Sequence, residues 1–343
     1  MDDEAAATTL DAAAVRAAAL ASRFALVGLA RADALDPGPL AAWLAAGHAA
    51  DMDWMGRRLD ERLDPRRVLP DAKTVIALAI GYHRAGAAAS PRSPVARYAR
   101  GRDYHYAHRD GMKALRRRLL GLAPGIETYA CVDTGVAMEK VWAARAGLGW
   151  IGKNGCLINP RWGSWLTLSV MFVDREVDAY DAPHDERCGD CTSCLRGCPT
   201  QAFPSPGVVD ARRCLAYQTI ENHGDVPEPL RRALRGRVFG CDVCQDVCPF
   251  NRGALPEGDA RVAPRPVASL TPAELAALPR ADFERLSAGT ALARAQYDGV
   301  RRNALYAIGA TRDREARPVA EKLLSDPSAT VREAAEWALG RLG

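Results

Sequence analysis

Eight of the ten cysteines in this chain fall between Cys188 and Cys248, and their spacing constrains the fold more than any other feature. The first run is Cys188-x2-Cys191-x2-Cys194-x3-Cys198-Pro199. The second is Cys241-x2-Cys244-x3-Cys248-Pro249, with Cys214 standing alone between the two. The pattern C-x2-C-x2-C-x3-C-P ligates 4Fe-4S cubanes: short intervals let three thiolates converge on one cluster, and Cys-Pro turns the fourth toward another. In two-cluster proteins that fourth cysteine serves the other cluster. The spacing therefore predicts one cluster on Cys188, Cys191, Cys194 and Cys248, and a second on Cys198, Cys214, Cys241 and Cys244. Zinc knuckles use paired C-x2-C without the flanking C-x3-C-P. Disulfide frameworks belong to small exported chains.

At 343 residues there is room for two or three domains. Net charge is +4, too small to announce a nucleic-acid binder by itself. No apolar run approaches the ~20 residues that span a bilayer, and the acidic start MDDEAAATTL lacks a signal pattern, so a reducing cytoplasm is expected. Absence of coiled-coil heptads points to a monomer.

Before the cysteines, helical and strand patterns alternate, which predicts an α/β domain over residues 1–177. A helix is expected over 9–23 with its cap near Thr9, and another over 39–50. Strands are expected at Phe24–Leu29, at Thr74–Ile80 (continuously apolar, so buried on both faces), and at Trp165–Asp174. Residues 92–118 carry nine basic side chains, beginning with Arg92, interleaved with Tyr98, Tyr104, His105, Tyr106 and His108. Such a mixture suits nucleic acid or a large anionic cofactor, whereas Lys113–Arg118 reads equally well as a solvated helix face. Asp133 follows a strand and precedes Gly135. It reads either as a buried acid whose raised pKa holds a proton near neutral pH, or as a cap on the next helix. Cys131 and Cys156 read as small apolar residues.

The cysteine stretch sets a second domain, 178–252. Proline-rich 253–270 reads as a linker, and Thr271-Pro272-Ala273-Glu274 as a capping box opening a third domain, 271–343. There Val300–Gly309 returns as Val331–Gly340 at an offset of 31, with six of ten positions identical or Ile/Leu, the mark of HEAT-like helical repeats.

Together, Arg97-Tyr98-Ala99-Arg100-Gly101-Arg102-Asp103-Tyr104-His105, Val132-Asp133-Thr134-Gly135, Ala143–Asn154, both cysteine runs, Cys214–Glu221 and the terminal repeat resemble the epoxyqueuosine reductases, cobalamin-dependent iron–sulfur enzymes of tRNA queuosine synthesis. Departures are minor: Val136, Met138 and Gly155-Cys156 replace more usual residues. The resemblance implies an α+β multidomain chain with an α/β cobalamin-binding (nitroreductase-like) domain, a ferredoxin-like two-cluster domain and C-terminal HEAT-like repeats. It implies reduction of epoxyqueuosine to queuosine at the tRNA wobble position, with Asp133 as proton donor. It further implies a base-off cobalamin held by Arg57, Arg97, Asp133, Asn154, Ile158, Ser169, Tyr217 and Asp242, with the second cluster nearer to it and flavodoxin or ferredoxin as electron donor. D-x-H-x-x-G is absent, so no histidine is expected on cobalt.

Three rivals stand beside it. A corrinoid reductive dehalogenase shares the cofactor plan, but resembles a twin-arginine-exported protein and lacks a helical tail. A ferredoxin-type carrier would leave most of the chain without a task. An RNA-binding protein with structural clusters rests on the 92–118 patch alone.

Overall fold

The computed structural model describes residues 9–84, 93–256 and 258–343; Arg92 and the acidic start fall outside them. Six strands form: β1 (Leu26–Arg31), β2 (Thr74–Gly81), β3 (Thr128–Cys131), β4 (Trp150–Ile151), β5 (Leu157–Ile158) and β6 (Leu166–Val173). Four of them make one sheet in the order β1-β2-β6-β3, and β4-β5 make a separate ribbon. Alternation of strands and helices is present as expected, yet each pair in the sheet is antiparallel. Long excursions between strands let the chain re-enter the sheet from either end, a choice that element order does not encode.

Helices α1 (Ala12–Ala21) and α3 (Tyr104–Leu122) cover one face of the sheet, where Leu29, Ile76, Leu78, Ile80 and Met171 are buried. Helix α4 (Glu139–Arg145) covers the other, with Ala30, Val75, Ala77, Ala79, Val170 and Phe172. Covered on both faces, β2 shows no polar alternation and is buried throughout. Each large side chain buried this way contributes roughly 1.5–3 kcal/mol. Asp11, rather than Thr9, caps α1, accepting the Ala13 N–H at 2.7 Å. The second predicted helix is α2, Gly38–Ala45.

Between the cysteine runs, α5 (Leu215–Ile220) turns away from the sulfurs and packs on the C-terminal module. That module holds α6 (Pro272–Ala277), α7 (Gln296–Thr311) and α8 (Ala329–Leu342). The predicted capping box forms, with the Thr271 hydroxyl accepting the Glu274 N–H at 3.2 Å. The repeat occupies α7 and α8, where Tyr306 meets Trp337 edge-on at 5.6 Å. Gly309 is required at that crossing: a Cβ there would lie 2.6 Å from the Trp337 ring. One apolar core joins these helices to Val95, Ala99, Leu215, Leu234 and Phe239. Fully buried Arg302 and Asn303 fasten the junction by donating to the carbonyls of Gln218, Thr219, Asn222 and Val238 at 2.9–3.0 Å. Residues 258–270 are a packed strap rather than a free spacer. Arg261 donates to Ala107 O (2.9 Å) and Arg23 O (2.8 Å), and Val262 enters the first-domain core.

Candidate active site

An open cleft of about 300 Å3 lies at the edge of the sheet. Leu157, Leu166 and Leu168 and the rings of Tyr82, Tyr98 and Tyr104 form its broad walls, with Asp133, Glu139, Lys140, Cys156 and Gln245 among the remaining lining residues. Burial raises the phenol pKa values of Tyr82, Tyr98 and Tyr104, so these rings remain neutral. Gln245 bridges the Tyr82 hydroxyl at 3.1 Å and the Ser164 hydroxyl at 3.0 Å, tying the second cysteine run to the sheet edge.

Asp133 occupies a turn with φ +54°, a left-handed conformation worth of order 1–3 kcal/mol of strain for a non-glycine residue. The Glu139 carboxylate accepts its N–H at 2.7 Å. Asp133 caps no helix; the residue before α4 is Met138. The Asp133 carboxylate reaches to 3.5 Å from His105 Nε2, while His105 Nδ1 sits 2.7 Å from Asp103 Oδ1. Asp103 also accepts the His105 N–H at 3.0 Å at the start of α3, which fixes the imidazole against both acids. Flanked first by Asp103 and then by Asp133, His105 is raised to about 9 and is protonated at neutral pH. The reciprocal effect, led by the neighbouring His105, pulls the Asp133 carboxyl below its ordinary value. The expectation of a raised Asp133 pKa is thus corrected. Its side chain is 63% exposed, so desolvation is outweighed, and the proton resides on the imidazole.

Cys188, Cys191, Cys194 and Cys248 converge on one cavity of about 240 Å3, which Lys153 and Arg187 also line. The other four gather separately: Cys214 lies within electrostatic reach of Cys198 and Cys241, and Cys244 of Cys241 and Cys214. Cys156 is more than an apolar filler. It lines the cleft and lies within electrostatic reach of Cys244, so it stands between the cleft and the second cysteine group. Cys131 is buried and donates to Glu139 Oε1 at 3.6 Å.

Among the residues expected at cobalamin, Asp133 lines the cleft, and Asn154 and Ile158 line the first sulfur cavity instead. Arg97 is committed to Asp242 (3.3 Å) and Asp246 (2.5 Å) and lies 4.6 Å over the Trp165 ring. Asp242 is buried and also accepts the Arg97 N–H at 2.9 Å. Ser169 is buried against His108 Nδ1 at 2.7 Å. The Tyr217 hydroxyl donates to Asp51. Arg57 is exposed after a one-turn helix. Within the basic tract, Arg100 is buried, whereas Arg109, Lys113 and Arg116–Arg118 form a solvated face of α3. At the mouth, Arg294 of the C-terminal module pairs with Glu221 at 2.7 Å and lies 5.3 Å over Trp54.

Sequence reasoning did not single out His105 and Glu139 as site residues. Asp103-x-His105 was available as an acid–imidazole spacing at a helix start. Nothing local marks Glu139, because its partner lies six residues away across a turn.

The walls suit a flat macrocycle: they are aromatic and aliphatic. The two cysteine groups likewise match the donor chemistry of iron–sulfur cubanes.

Comparison with known proteins places these features in a family. A model described as a 4Fe-4S double cluster binding domain matches residues 187–251. One described as Epoxyqueuosine reductase QueG, DUF1730 matches 62–134, and one for HEAT repeats matches 288–343. The epoxyqueuosine reductase of Gloeobacter violaceus is 46% identical over 312 residues, covering 88% of this chain and 97% of the relative. That of Pseudomonas aeruginosa is 41% identical over 313 residues, covering 88% and 86%. A solved epoxyqueuosine reductase with an epoxyqueuosine-modified tRNA-Tyr stem loop has TM-score 0.88 and 29% identity, covering 96% of this chain and 89% of its own. A Bacillus subtilis epoxyqueuosine reductase, recorded with its catalytic aspartate loop swung out of the active site, has TM-score 0.88 and 28% identity over the same shares.

Proposed function

The chain belongs to the epoxyqueuosine reductase family, and from that premise we infer that it reduces epoxyqueuosine to queuosine at the wobble position of tRNA. The reaction removes the epoxide oxygen as water, consuming two electrons and two protons. Two 4Fe-4S clusters supply electrons singly, and we assign them to Cys188, Cys191, Cys194 and Cys248, and to Cys198, Cys214, Cys241 and Cys244. Cobalamin, when bound in the cleft, supplies the two-electron reduction of the epoxide carbon.

The carrying observation is the Asp103–His105–Asp133 relay opening onto an aromatic and aliphatic cleft, one of whose lining residues, Cys156, lies within electrostatic reach of Cys244 in the second cysteine group. Tyr82, Tyr98, Tyr104, Leu166 and Leu168 exclude water and present a flat wall to the corrin. Asn154 donates to the Cys244 carbonyl at 3.5 Å, beside the second cysteine group, while Asp242, Tyr217 and Ser169 hold Arg97, Asp51 and His108. The His105 imidazolium holds a proton against Asp133 Oδ2, and Asp133 delivers it to the departing oxygen. Asp103 keeps the imidazole oriented and charged throughout. We infer that the loop carrying Asp133 can leave the cleft, because a Bacillus subtilis relative has its catalytic aspartate loop swung out of the active site. We further assign a monomer acting in the cytoplasm, with a flavodoxin or ferredoxin as one-electron donor.

The test is mass spectrometry of tRNA digests. A strain lacking this chain should accumulate epoxyqueuosine, and Asp133→Ala should fail to restore queuosine while retaining both clusters. Normal queuosine in the deletion strain would overturn the reading.

A further inference from the structure

The turn from Cys131 to Glu139 is held at two points. The Asp133 carboxylate is met by His105 at 3.5 Å. Glu139 Oε1 takes two donors from the turn: the Asp133 N–H at 2.7 Å and the Cys131 thiol at 3.6 Å. The turn has little slack. Cys131 Sγ fills the space beside Gly135, where an added Cβ would lie 2.1 Å from it. Asp133 itself stands at φ +54°, a conformation that relaxes unless something holds it. Glu139 is fixed at the first residue of α4, whose Trp142 is wholly buried against the sheet. Its carboxylate therefore sits on a rigid element while its partner sits on a strained turn.

We propose that Glu139 is the positioning residue for Asp133, a latch whose carboxylate oxygen holds the acid's backbone N–H and so keeps the loop turned into the cleft. The inference deepens the functional reading above and rests on it. The two fail separately, because the latch can be read in the protein without any turnover. Removing the acceptor frees the N–H and lets the turn relax outward. Replacing Glu139 by Gln leaves an amide oxygen that takes the same bond.

Hydrogen exchange of the Asp133 amide, followed in the full chain by mass spectrometry, gives the direct test. Glu139→Ala should exchange at least ~10-fold faster at that amide, with β2 and β6 unchanged, because breaking a local bond opens only a local unit. Glu139→Met, which fills the volume without an oxygen, should do the same if the alanine variant folds poorly. Glu139→Gln should retain wild-type exchange. In turnover, Glu139→Ala should lower kcat by ~10- to 100-fold with KM nearly constant, and Glu139→Gln should rescue it. Added to Asp133→Ala, the substitution should cost nothing further, as residues acting as one unit are not additive. Unchanged exchange in both Glu139→Ala and Glu139→Met, or additive losses in the double variant, would overturn the latch.

Discussion

The sulfur-bearing stretch and the cleft beside it are built in opposite ways. Cys188, Cys191 and Cys194 reach their shared cavity through neighbouring backbone, and Cys248 is the one distant contributor. The cleft draws on five separate segments, bringing together Tyr82, Tyr104, Asp133, Leu166 and Gln245. Tyr98, one of its walls, packs on the core shared with the C-terminal helices. The lesson is that cluster binding depends mainly on local chain geometry, whereas the cleft depends on long-range packing.

The largest effect should come from the sulfurs. Cys191→Ala should reduce iron from about eight to about four atoms per chain and abolish queuosine formation, whereas Cys131→Ala should leave iron unchanged. Iron assays of the purified variants decide this, and loss of iron in the Cys131 variant would blur the boundary between the two regions. Next, Asp133→Ala should lower turnover by ~10^2- to 10^4-fold, the range of a lost general acid, with both clusters intact by absorbance.

A distant substitution tests the dependence on packing. Asp326→Ala leaves buried Arg301 without its carboxylate and should cost roughly 3–5 kcal/mol in denaturant unfolding. Because that module shares a core with Tyr98, activity should decline in mild denaturant before cluster absorbance does. Coincident loss of the two signals would remove the distinction.

The smallest effect is the pH response. His105 is raised to about 9 by Asp103 and Asp133, so its proton is present below that value and lost as pH rises through it. Turnover should therefore fall above about pH 9, with Tyr104 and Arg294 as the other polar groups facing Asp133. His105→Gln should remove that limb, as seen in kcat measured against pH. The same sign governs stability: the contribution of His105 is complete below its unfolded value near 6.5 and disappears as pH passes 9.

The sequence by itself determined the double-cluster cysteine stretch, the both-faced burial of β2, the capping box at Thr271 and the helical repeat. Each of these is written in spacing over a few residues, where backbone geometry leaves little choice. Tertiary structure alone decided the antiparallel pairing of the sheet, the packing of 258–270 as a strap, and the joining of α5 to the C-terminal core. It also decided the protonation of the acid: Asp133 read in isolation is an acid awaiting burial, but His105, brought within 3.5 Å by α3, holds the proton instead. Electrostatic partners and sheet partners are chosen by folding across long stretches of chain, and no local pattern records which groups will meet.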